Sequence, residues 1–60
     1  MDAALRLAKL AALREEMDAI HRANKLYWGH TGHSREAEME HQQRQERLEQ
    51  VRKEMEELEA

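Results

Sequence analysis

The chain has 60 residues, enough for one domain at most, and carries 10 Lys and Arg against 13 Asp and Glu for a formal charge of −3. With no Pro, no Cys, 2 Gly and 38% charged residues, the composition excludes a disulfide scaffold and a thiolate zinc site and predicts an all-α chain. Both signs of charge are mixed along the sequence, and no apolar run nears the roughly 20 residues of a membrane span, so neither nucleic acid nor a bilayer is an expected partner.

The first helix is predicted over about residues 3–28. Its start, with Arg6, Lys9 and Arg14 soon followed by Glu15 and Glu16, is unlike a secretory leader, which points to the cytoplasm. At about 100° per residue, Leu10, Leu13, Met17, Ile20, Tyr27 and Trp28 share one face. Leu5, Ala8, Ala12, Ala19, Ala23 and Leu26 share another, roughly 130° round the cylinder. A helix with two apolar faces needs two partners. A second helix of the same chain can cover the first face, and the second face is expected to meet another molecule. That face reads alike in both directions about a point between Glu15 and Glu16. Two copies crossing antiparallel match Leu5 to Leu26, Ala8 to Ala23 and Ala12 to Ala19 of the other copy, the self-complementary pairing of a two-fold interface. Glu15 and Glu16 approach their symmetry mates at its centre, with Lys9 and Arg22 as the cations at hand.

The turn is predicted over 29–33, Gly29, His30, Thr31, Gly32 and His33, where both glycines fall. Gly29 is expected to take the left-handed conformation that ends a helix, with Lys25 in the last turn to complement the dipole. Ser34 is the predicted N-cap of a second helix running to about residue 58, with Glu36 and Glu38 at its positive end. The third residue after Ser34 is Ala37, so no capping box closes.

Leu48, Val51, Met55 and Leu58 form the apolar seam of the second helix, which continues towards the turn as Arg44, His41 and Ala37. Folded antiparallel through a short loop, the hairpin core is Leu10, Leu13, Met17 and Ile20 against Leu48, Val51, Met55 and Leu58. Counting from the turn sets Leu13 opposite Leu48, Leu10 opposite Val51, Ala3 opposite Leu58 and Ile20 opposite His41. Glu54, Glu56, Glu57 and Glu59 stand at the wrong end of their own dipole, so this end is expected to fray unless Arg6 and Lys9 lie alongside.

The four histidines, His21, His30, His33 and His41, are the conspicuous ligand types. His30 with His33, or His21 with His41, could offer two imidazoles, and Glu38 stands three residues before His41. Four ligands in tetrahedral array are not spelled out, so these residues are read as seam and loop polar groups, with no metal or other cofactor expected. His41, beside Arg44, Asn24, Gln42 and Gln43, is a polar interruption expected to fix register and to make assembly sensitive to pH. Tyr27 and Trp28, the only aromatics, are expected to plug the end of the hairpin, or else to contact a partner. With no Cys, one Ser spent as a cap and one Thr in the turn, no nucleophile is in view and catalysis is not expected.

A lone hairpin of this length barely offsets the entropy of its own ordering, roughly 1.5 kcal/mol per residue, and association is the remaining remedy. The expected architecture is a two-helix antiparallel hairpin that dimerises into a four-helix bundle. In architecture it resembles the small Rop-type plasmid RNA-binding bundle, also acidic and built from two hairpins. The resemblance is one of architecture and covers no functional position; an RNA binder of that kind would need a basic stripe, for which Arg14, Arg22 and Lys25 are the residues on offer. The leading expectation is a homodimer that acts by self-association and by contact with a larger protein. The alternatives are a His/Glu metal-binding bundle and a Rop-like RNA binder.

Overall fold

Asp2 opens the first helix: in the computed structural model, which describes residues 2–60, its carboxylate accepts the Ala4 N–H at 3.3 Å. That cap is invisible to a search for apolar periodicity, although Asp before an Ala-rich run is a recognised start signal. Met1, for which the sequence suggests no role, lies outside the described residues. The first helix, α1, spans Ala3–Trp28 and the second, α2, spans Arg35–Glu59, close to the predicted limits. Ser34 caps α2 as expected, its Oγ accepting the Ala37 N–H at 3.1 Å, with Glu36 and Glu38 in the first turn. Two long helices and one short loop give an antiparallel hairpin with extents of 46 × 15 × 14 Å. Among the described residues no helix is long and apolar enough to cross a membrane.

The glycines divide the work of the turn differently from the expectation. Gly29 remains right-handed, φ −77 and ψ −9, and its N–H donates to the Lys25 and Leu26 carbonyls at 3.1 and 3.2 Å. It prolongs the last turn of α1 and leaves the chain reversal to Gly32, which takes φ +79. Nothing lies within 4 Å of where a Cβ on Gly32 would stand, so glycine is needed there for its backbone and not for space.

Leu10, Leu13, Ile20, Leu48 and Val51 are buried, with Val51 the one fully buried side chain among the described residues. Met17, Met55 and Leu58, placed in the core by periodicity, are only half-buried, because a single helix opposite cannot cover a stripe this wide. The buried row continues towards the loop as Asn24, whose Oδ1 accepts Arg44 Nε–H at 3.0 Å. His41 does not meet Ile20. Its ring stacks on Tyr27, centroids 4.1 Å apart and planes within 1° of parallel, about two turns nearer the loop. Counting residues from the turn aligns Cα atoms, whereas side chains lean towards the N-terminus of their own helix. In an antiparallel pair those leans are opposed and shift the contact.

The acidic end of α2 is met by other cations than expected. Arg14 reaches Glu59 at 3.9 Å and Arg47 reaches Glu54 at 3.6 Å, while Lys9 lines a cleft with Glu54 and Glu57 and Arg6 makes no ion pair among the described residues.

Candidate functional site

The face of α1 turned from the core carries an uncovered apolar stripe. Leu5 is 49% exposed and Leu26 68%, and Ala8, Ala12 and Ala19 between them are exposed, with Ala23 half-buried. One flank of this stripe borders α2. There Glu16 receives both Nε and Nη2 of Arg47 at 2.7 Å, a two-pronged bond across the helices. The hydrogen-bonded guanidinium holds the Glu16 carboxyl below the usual carboxylate range, and the carboxylate raises Arg47 in return. Along α1 this fork separates two clefts: one at the loop end floored by Ala23, Leu26, Tyr27 and Ala37, the other at the open end between Ala12 and Leu58.

The other flank carries Glu15 and Arg22, about 50–70° from the centre line of the stripe by helical geometry and away from α2. Arg22 borders a shallow depression with Lys25, Leu26, Gly29 and His30, which no residue of α2 helps to line. Among the described residues neither Glu15 nor Arg22 forms an ion pair.

The loop end is organised by imidazoles. His30 Nδ1 lies 2.8 Å from the Leu26 carbonyl oxygen and His33 Nε2 lies 2.8 Å from that of Tyr27. A carbonyl only accepts, so each of these nitrogens carries its proton and donates, satisfying carbonyls that the end of α1 leaves open. Tyr27 sits between His41, stacked on it, and His33, edge-on at 3.7 Å. Its ring is half-buried between them at the loop end of the hairpin. Trp28 does not share that place: successive helical residues diverge by about 100°, and Trp28 remains 71% exposed, touching Tyr27 and His41 only edge-on. His41 Nδ1 is buried without a hydrogen-bond partner, while its Nε2 lies 3.4 Å from the Gln45 amide nitrogen.

The histidines do not converge. His21 is exposed on α1, Glu38 is exposed on α2, and His30 and His33 are each tied to a backbone carbonyl. Among the described residues no three His, Asp or Glu side chains are arranged to hold a metal ion. Comparison with protein-family models, characterised proteins and solved structures finds no match for the chain.

Proposed function

We propose that the chain acts by associating with itself through the free face of α1, forming a four-helix assembly from two hairpins, and works as a protein–protein interaction module without a catalytic step. Its proposed compartment is the cytoplasm. Exposed area is the observation that carries this reading. A compact monomer of 7.1 kDa exposes about 4,100 Å² by the scaling of surface with mass, whereas the hairpin exposes 4868 Å². The excess, roughly 800 Å², is what one partner contributes to an interface of standard size. A single fully buried side chain among the described residues supports the same reading, since so thin a core leaves the hairpin in need of further burial.

Sedimentation over a dilution series, with circular dichroism at each concentration, tests this. The expected outcome is a dimer at micromolar concentration whose helical signal and melting temperature fall as it dissociates. A monomer that stays fully helical at every concentration would refute it. The exposed indole of Trp28 at the loop end favours a second contact with a larger protein, because Trp is enriched where interfaces carry their energy.

A further inference from the structure

We infer that two chains pair antiparallel along α1 and are held in register by two reciprocal ion pairs, Glu15 of each copy with Arg22 of the other; this rests on the dimer reading above. The centre of the self-complementary stripe is crowded with Glu15 and Glu16 from both copies, a like-charge cluster that would oppose association. The fold removes half of it. Glu16 is turned to the flank beside α2 and neutralised by Arg47 of its own chain, at 2.7 Å through both prongs. Lys9 lies on that same flank, where it lines a cleft with Glu54 and Glu57, on the side of the stripe away from Glu15.

Glu15 is left on the opposite flank with Arg22, and neither is paired within the chain among the described residues. A two-fold axis perpendicular to two antiparallel helices keeps like flanks together, so the Glu15 flank of one copy faces the Arg22 flank of the other. Along the axis the match follows from the lean of helical side chains, about one turn towards the N-terminus. Glu15 then covers the level of Ala12, and Arg22 the level of Ala19. Ala12 and Ala19 of the other copy are the positions that the stripe brings together, and their small side chains let the helices approach closely.

Glu15→Lys and Arg22→Glu, alone and mixed, test the pairing by sedimentation of a fluorescently tagged E15K chain against untagged R22E. Each variant alone sets like charges together twice and should weaken its dimer about tenfold or more. Mixed in equal amounts they restore two attractive pairs, and a heterodimer of near wild-type strength should form, which also shows that both variants fold. An R22E dimer as strong as wild type, or a mixture no stronger than its components, would overturn the pairing while leaving a dimer of another geometry. A wild-type chain that stays monomeric would instead overturn the dimer reading and this inference with it.

Discussion

Gly32 and Gly29 look equivalent in the sequence and differ in what replacement would do. At Gly32 the backbone holds φ +79, where a Cβ crowds the following carbonyl, so Gly32→Ala should cost about 1 kcal/mol. At Gly29 the conformation is already right-handed, and a Cβ would stand 3.4 Å from the Lys25 carbonyl oxygen, an ordinary contact. Gly29→Ala should therefore be neutral or stabilise by up to about 0.5 kcal/mol through lower unfolded-state entropy. Urea unfolding of both variants at one protein concentration checks the pair, and equal losses would refute the division of labour in the turn. The expectation of a left-handed Gly29 failed because composition locates a turn without ordering the conformations inside it. Trp28 stays outside the packed loop end, the first of its two expected places, for a related reason. Adjacency to Tyr27 in sequence suggests a shared role, but adjacent positions on a helix point apart.

Between elements, the tie with a definite chemical signature is the Glu16–Arg47 fork. Its folded carboxyl is held below the usual range by the guanidinium, so the stabilisation is complete above the unfolded-state value of about 4.3 and is lost as pH falls through the depressed one. Glu16→Gln should therefore be less stable than wild type at neutral pH, with the difference closing under strongly acid conditions; denaturation at several pH values and one salt concentration measures it. A difference that persists unchanged into acid would mean that the carboxylate is not its source. The fork itself was not legible in the sequence. Its partners lie on different helices, and Lys9 and Arg22 were the nearer cations along α1. The limits of α1 and α2, the Ser34 cap and the buried row through Leu10, Leu13, Leu48 and Val51 were legible, because periodicity and capping are local. Which side chains touch across the hairpin depends on the opposed leans of two helices, and residue counting does not contain that information.

For the whole molecule, the thinness of the core would make stability and association one quantity in the proposed dimer. Ala19 lies in the middle of the free stripe and is exposed, so Ala19→Arg should leave the hairpin's own contacts untouched while wedging the two copies apart. We expect it to weaken the dimer by about 2 kcal/mol or more, since the bulky group is introduced twice across a close approach. Its melting temperature should fall and lose its dependence on concentration, which calorimetry at two concentrations would reveal; an unchanged melting curve would remove the stripe from the interface.

The hairpin's 46 Å length against widths of 15 and 14 Å makes it a short rod, whose tumbling and drag depend on direction. Lateral pairing keeps the long dimension and doubles one of the short ones. The assembled species would therefore be twice as heavy yet less elongated, with a lower frictional ratio and more nearly isotropic rotational diffusion than the single chain.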